Sequence, residues 1–443
     1  MSETLPVTMI ASLESLSRSL LEVVRGHRDA PLAELEQRVL EAVRAALPGL
    51  LQGVILSATT SLQFGKAGIK PACPECGERT GVQSWRDRTV LTVCGKVTME
   101  RPWYVCANCG RGWSPTDDSL ELESRTRISP GMTEWLVHLG AGTSFAEAAG
   151  LLETLTGLTV SPETVRQRTE ERGTAIEEED QAAIDRVAKT QEAAEAVDRA
   201  PGNLVVETDG VMVRYLDGWH EVKLGLVGGY VDGRLVNPSY VAAREKAEQF
   251  GPRLLAEAAR RGALEVLSWE GPLTGNGLAM LPEVAVLGDG AVWIWNLAGD
   301  HFGRRVEVID FYHATEHLWD VAKALYGEGT SRAATWADEQ IRDLYKEGAA
   351  PILRALAEAM APDEKAAEVL QRERNFFRTN AHRMDYPAFR RQGLPIGSGA
   401  IESSAKHLVQ LRLKRPGARW SDPGAQAVLA VRCRLISNRR LAA

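Results

Sequence analysis

The chain has 443 residues, 44% hydrophobic and 25% charged, with 40 Gly, 20 Pro, 6 Cys and a net charge of −7. At roughly 100 to 200 residues per domain this predicts two to four domains, and such ordinary globular fractions exclude wholesale disorder, a collagen-like repeat and a disulfide-stapled miniprotein. The longest apolar stretches, such as Leu224 to Val231, stop at about eight residues where a spanning helix needs about 20, which predicts no membrane span. Glu3, Glu14, Arg18 and Glu22 interrupt what would have to be an apolar signal core, so the expected location is the cytoplasm.

Charge is unevenly spread. From Ala405 to Ala443 there are nine Lys or Arg against Asp422 alone, whereas Glu177 to Asp198 carries eight acids facing Arg186 and Lys189. The chain therefore has an acidic connector and a basic C-terminus, the latter readable as a phosphate-contact surface or as a solvated helix.

Residues 1–70 repeat apolar positions at helical spacing (Leu32, Leu35, Val39, Leu40, Val43, Leu47) and predict two helices. Residues 71–116 change texture. TVLTV and KVTMERPWYV have the period of short strands, and Cys73-Pro-Glu-Cys76 and Cys106-Ala-Asn-Cys109 flank them, each pair followed by Gly. Thiolates so spaced on tight turns can converge on one structural Zn²⁺, the pattern of a zinc ribbon. A closed four-thiolate site has no open position for substrate, so its job is folding and presentation of a surface. Arg79, Arg86, Arg88, Arg101 and Arg111, with Trp85, Trp103 and Trp113, suggest DNA contact there. Cys94 and Cys433 lie outside the pattern and read as core thiols.

Residues 128–175 return to helix. Ser144 caps one helix, Gly157 permits a sharp turn, and Ser161-Pro162-Glu163 opens a second. The pair matches a helix-turn-helix whose Arg166, Gln167 and Arg168 suit base-edge readout, with a plain helical hairpin as the alternative. An acidic helical connector occupies 176–200, ended by Pro201-Gly202-Asn203.

Residues 203–311 are strand-rich: LVVETDG, VMVRYLDG, HEVKLGLVGGYVDG, then a helical EKAEQFGPRLLAEAARRG, then LEVLSW, VAVLGDG, AVWIWN and RRVEVID. This order predicts a mixed sheet covered by helices. Residues 312–394 read as helical almost throughout, and 395–443 as a final helix after the break in PIGSGAIESSAKHLVQLRLKR.

Four Asp-Gly pairs occur in the strand-rich region. Asp217-Gly218 and Asp232-Gly233 fit hairpin turns. Asp209 and Asp289 each follow a dense apolar run, which is how a buried strand delivers a carboxylate to a sheet end. Glu402 follows a Gly and Ser break in the first turn of a helix, where it can join the two Asp or simply complement the helix dipole.

The ordered set ETDG, GDGAVWIWN, VIDFYH and PIGSGAIESSAKHLVQLRLKRPGARW resembles the DDE transposases of bacterial insertion sequences, most closely the ISKra family, with relatives among Mutator-like enzymes. The resemblance covers roughly Pro71 to the C-terminus. It implies a multidomain α+β protein: N-terminal helices, zinc ribbon, helix-turn-helix, and a ribonuclease H-like α/β catalytic domain with a helical insertion. It also implies a catalytic triad of Asp209, Asp289 and Glu402 holding Mg²⁺ or Mn²⁺. Asp310 and His313 form the D-x-x-H element of this wider group, a support for the site. His317, one helical turn after His313, completes no convincing ligand set.

The implied reaction is metal-assisted in-line displacement at phosphorus: cleavage at the element's ends, then attack of the freed 3′-OH on target DNA. The partners would be double-stranded DNA, as terminal inverted repeats and as target, and further copies of the chain in a homodimer or higher assembly. Lys406, Arg412, Lys414, Arg415 and Arg419 of the tail, and Arg372, Arg374, Arg378 and Arg383 of the insertion, would contact phosphates. The competing readings are a catalytically silent DNA-binding regulator or domesticated transposase, and a metal-dependent nuclease without strand transfer.

Overall fold

The computed structural model describes residues 5–26, 30–62, 70–193, 198–264 and 283–439. The chain divides into two compact units, residues 1–168 and 169–442, and each is a mixture of helices with one sheet.

In the first unit, helices α1 (Val7–Gly26) and α2 (Leu32–Thr59) pack antiparallel. Close approach is made possible by glycines of α2: a Cβ on Gly53 would lie 2.8 Å from that of Met9. The second helix corrects the expectation about apolar runs. It contains an 18-residue window of mean hydropathy 1.5, long and apolar enough to cross a membrane by length and composition. Two of its residues meet the hairpin that follows: Pro48 abuts Gly95, and Gln52 donates to the Thr98 carbonyl at 2.7 Å.

Strands β1 (Val82–Thr92) and β2 (Gly95–Val105) form an antiparallel hairpin, extended by the short β3 (Gly112–Trp113). Alternation decides which side chains go inside: Val97, Met99 and Arg101 are buried, and Lys96, Thr98 and Glu100 exposed. Three helices follow, α3 (Pro115–Ser119), α4 (Pro130–Gly142) and α5 (Phe145–Thr156), then the long α6 (Pro162–Thr190). Ser144 and Glu147 make a capping box at the start of α5, and Gly157 ends it at φ 74°. Met132, Leu136, Ala148, Leu152 and Val165 bury a common core between α4, α5 and the start of α6.

The second unit is built on a five-stranded sheet of order β6-β5-β4-β7-β8. Strands β4 (Asn203–Tyr215), β5 (Gly218–Val231) and β6 (Arg234–Ala243) form an antiparallel meander, and β7 (Val284–Gly288) and β8 (Arg305–Ile309) continue it in parallel with β4. The run Leu204-Val205-Val206 is apolar throughout because both faces are covered. Leu204 and Val206 face a core shared with Phe250 and Leu254 of α7 (Ala247–Arg260). Val205 faces the core of the insertion helices.

Ala291 to Asn296, expected as a strand, begins helix α8 (Val292–His301). Its apolar residues serve two faces at helical spacing, Ile294 and Trp295 in one core and Leu297 and Ala298 in the other, so tertiary burial overrides the strand preference of Val-Trp-Ile-Trp. The expected strand LEVLSW falls mostly outside the described residues.

The helical stretch after β8 comprises α9 (Phe311–Tyr326), α10 (Ser331–Glu347), α11 (Ala349–Glu358), α12 (Glu364–Asn380) and α13 (Tyr386–Arg391). The expected final helix is two pieces. The first runs from α14 (Gly399–Ser404) through a π-helical segment, Ala405–Gln410, to Leu411–Leu413; the second is Asp422–Ile436.

The uneven charge also finds its reason here. Arg434 pairs with Glu179 at 2.9 Å and Asp180 at 3.2 Å, and Arg253 with Glu177 at 3.0 Å. Much of the acidic connector is thus answered by buried arginines of the same unit.

Candidate functional site

The cysteines form two equivalent turns. In the first, Cys73 N–H donates to Glu78 O and Gly77 N–H to Cys73 O; in the second, Cys106 N–H donates to Arg111 O and Gly110 N–H to Cys106 O, all four at 2.9 Å. Each turn closes through a left-handed glycine, Gly77 at φ 75° and Gly110 at φ 74°. The sulfurs of Cys73 and Cys109 lie 3.6 Å apart and those of Cys76 and Cys106 3.5 Å. All four lie within 4.8 Å of one another and can hold a metal ion. The edge of a thiolate tetrahedron at a Zn–S distance of about 2.3 Å is about 3.8 Å, so zinc fits the set. The Cys109 backbone N–H favours the Cys106 thiolate, drawing its pKa down to about 6. The Arg111 backbone N–H favours the Cys109 thiolate too, but burial and the neighbouring sulfurs prevail and raise it to about 12.

The acids are assembled differently. Asp209 lies inside β4, opposite Leu224, and Gly210 beside it is not a turn: a Cβ there would strike the Glu221 carboxylate at 2.1 Å. Asp217-Gly218 and Asp232-Gly233 join consecutive strands of the meander, with Asp232 at φ 49°. Asp289 leaves the end of β7, its carboxylate accepting from Ala291 N–H at 2.9 Å, and Glu402 sits exposed on α14.

Burial raises the pKa of Asp209, the Gly210 N–H opposes, and the charges of Asp289, Glu402 and Glu221 raise it further. Asp289 and Glu402 thus both act on the carboxyl of Asp209, as does Glu221. The three expected acids are not drawn together as the sulfurs are: among the described residues, the four cysteines alone have three or more ligand atoms within 4.8 Å. Asp209 is half-buried and Asp289 and Glu402 exposed.

Asp310 proves to be a brace. It is 1% exposed, caps α9 by accepting from His313 N–H at 2.6 Å, and its second oxygen accepts the Ser398 N–H. The D-x-x-H spacing is thus that of an N-cap and its third helical residue, with the backbone of His313 as partner. The His313 ring lies 3.3 Å from Glu316.

Glu207 was missed in the sequence. Two residues before Asp209 and 2% exposed, it accepts the Ile401 N–H at 3.0 Å. Burial pushes its pKa up to about 8, against the Ile401 N–H and with the charges of Asp310 and Glu402. Its signal was an acid inside an apolar strand. The fully buried Glu373 was missed as well: it accepts from His317 Nδ1 at 2.6 Å and Arg372 Nε at 2.5 Å. His317 also stacks on Phe376 at 3.7 Å.

Several expected DNA contacts are internal. Arg412 is 3% exposed, with its guanidinium 4.8 Å from the Trp420 ring. Of the tail cations, Lys406, Lys414 and Arg419 are exposed and Arg415 half-buried. Arg374 donates to the Leu356 and Ala359 carbonyls, and Arg383 to Glu307 and Asn380. Arg372 is held by Glu373 and Asp320, and Arg378 by Asn375. On α6, Arg166 pairs with Glu163 at 2.5 Å, Gln167 is exposed and Arg168 half-buried. In the ribbon, Arg88 and Arg101 are buried on Asp117, and Trp113 is buried against Tyr104.

The molecule is a mixed α+β protein with a zinc-ribbon-like cysteine cluster in one unit, and with Asp209 on β4 and Asp289 at the end of β7, neighbouring interior strands of the sheet, in the other. Residues 69–225 match the sequence profile of UPF0236, an uncharacterised protein family. The chain is also similar to a Streptococcus gallolyticus protein described as "UPF0236 protein in vanSb 3'region", 25% identical over 364 residues, 79% of this chain and 73% of that protein. The profile takes in the four cysteines and Asp209, and ends before Asp289 and Glu402.

Proposed function

We propose that the protein is a DDE-type transposase that binds the terminal repeats of an insertion sequence and performs divalent-metal-dependent DNA cleavage and strand transfer, in the manner of the ISKra-like enzymes it resembles. The observation that carries this reading is that Asp289, at the end of the parallel neighbour of the central strand, and Glu402, on a distant helix, are both near enough to raise the pKa of Asp209 on that strand. The sheet order supports a ribonuclease H-like core, with the insertion helices between β8 and α14. The capped α5–α6 pair supports a helix-turn-helix, with Gln167 exposed on α6.

Asp209, Asp289 and Glu402 would hold Mg²⁺ or Mn²⁺, which supplies Lewis-acid stabilisation of the attacking and leaving oxygens at phosphorus. Glu207 and Asp310 accept backbone N–H groups of the segment carrying Glu402 and so fix where that carboxylate stands. The four thiolates would hold structural zinc and shape the ribbon surface.

The test is Mg²⁺-dependent cleavage of labelled duplex carrying the DNA that flanks this gene. Asp209→Asn, Asp289→Asn and Glu402→Gln are each expected to lose at least about 10²-fold in rate, roughly 3 kcal/mol at the transition state, with DNA binding retained. Asp217→Asn and Asp232→Asn, in the hairpin turns, stay active. Full activity in Glu402→Gln sinks the triad. Cutting without joining identifies a nuclease instead.

A further inference from the structure

The ribbon side of residues 1–168 carries an open cleft of about 1310 Å³. One wall is the β1–β2 hairpin and the loop running to Ile128, and the opposite wall includes Thr159 to Ser161 and Thr164. Arg86, Lys96, Arg125 and Arg127 line it, all four exposed. Among the described residues none of the four forms an ion pair; Arg86 bonds Ser84 Oγ at 3.0 Å and lies over the Trp103 ring at 4.8 Å. The acids of the lining are Asp87, exposed, and Asp117, buried. Asp117 is already engaged by Arg88 at 2.7 Å and Arg101 at 2.8 Å. The cleft therefore has a surplus of uncompensated positive charge, in a molecule whose net charge is −7.

These cations stand on a braced frame. Arg88, held by Asp117, donates onward to the carbonyls of Glu123 at 2.6 Å and Thr126 at 3.0 Å, pinning the loop on both sides of Arg125. The Leu91 N–H donates to Arg127 O at 2.8 Å and the Ser129 N–H to Leu91 O at 2.9 Å, stitching the loop to β1. Arg125 is itself at φ 65°, a left-handed conformation unfavourable to a non-glycine residue. A buried ion triad thus fixes a strained turn that presents arginines to solvent.

Four exposed cations lining an open cleft of this volume match a repeating polyanion better than one small anion. We propose that this cleft binds the phosphodiester backbone of duplex DNA, with Arg86, Lys96, Arg125 and Arg127 as sequence-independent phosphate contacts. The proposal rests on the reading of the protein as a DNA-processing enzyme. It moves the main grip of the first unit away from Arg88 and Arg101, which build the frame, to residues of the hairpin and loop.

The experiment is anisotropy of a labelled random-sequence duplex of about 30 base pairs, titrated with full-length protein between about 50 and 200 mM salt. The wild type should show a steep salt dependence. Replacing all four residues by Ala should weaken binding by at least about 10²-fold at low salt and lower the slope of log affinity against log salt by about 3 to 4. Arg125→Lys with Arg127→Lys should keep most of the slope, and unchanged melting and zinc content in every variant show that the fold is intact. DNA binding by wild type with the same affinity and slope in the fourfold variant overturns the cleft and leaves the enzyme reading standing. Tighter, cleft-dependent binding of polyglutamate or single-stranded RNA than of duplex also overturns it. Normal binding with no cleavage would sink the enzymatic reading and keep the cleft, whereas absence of any DNA binding removes both.

Discussion

The four cysteines come from two turns that repeat the same pair of backbone hydrogen bonds and the same left-handed glycine, whereas the three acids come from a strand, a strand end and a helix nearly two hundred residues apart. The first site is written locally. Each C-x-x-C turn places its own two sulfurs, and one hairpin then joins the turns. The three acids depend on the folding of the sheet and of α14, and the buried Glu207 and Asp310 hold the backbone of the segment that carries Glu402. Local sites are robust to distant change, and assembled sites depend on their braces.

The largest effect should come from removing a cysteine ligand, because structural zinc contributes on the order of 10 kcal/mol to the folding of small thiolate sites. Purified protein should contain one zinc per chain, and Cys76→Ser or Cys109→Ser should lose it and melt the β1–β2 hairpin. Metal analysis and hydrogen exchange check this. A wild-type chain with clearly substoichiometric zinc when purified without chelator would break the comparison at its local end.

Asp310→Ala should come next. It uncaps α9 and strands a buried Ser398 N–H, a loss of about 3 kcal/mol. Exchange protection at Ser398 and Ile401 should fall while the cysteine hairpin stays protected. Equal loss of protection in both units would show that the two sites are not built independently.

A smaller effect is expected for Glu373→Gln, about 2 kcal/mol at neutral pH. Burial alone would raise the Glu373 carboxyl, but hydrogen bonds from His317 and Arg372 outweigh it and hold the group below the ordinary range. A depressed carboxylate contributes stability that is present above its unfolded pKa of about 4.5 and is lost as pH falls through the folded value. The gap between wild type and variant in urea melts should therefore narrow from pH 7 to pH 4. A gap that widens on acidification would contradict the sign.

Much of this was legible in the sequence, for identifiable reasons. Ser144, Gly157 and Ser161 announce their helix ends because capping is a short-range hydrogen bond. Asp217-Gly218 and Asp232-Gly233 read as turns because turn geometry needs only two residues. Ala291 to Asn296 misled because the local preference of Val and Trp favours a strand, and only packing on two faces makes it a helix. The arginines misled for the same reason: Arg88, Arg101, Arg374, Arg383 and Arg412 look in the sequence like surface cations, and in the fold their partners are carboxylates, carbonyls and a tryptophan ring.

By itself the sequence determined the cysteine turns, the capped helices and the meander, since each depends on neighbours within a few residues. Tertiary structure alone decided which charges remain free. Pairing is a property of neighbours in space, and so Lys96, Arg125 and Arg127, unremarkable in the chain, keep their charge for solvent, while the basic tail helix spends Arg434 on the acidic connector.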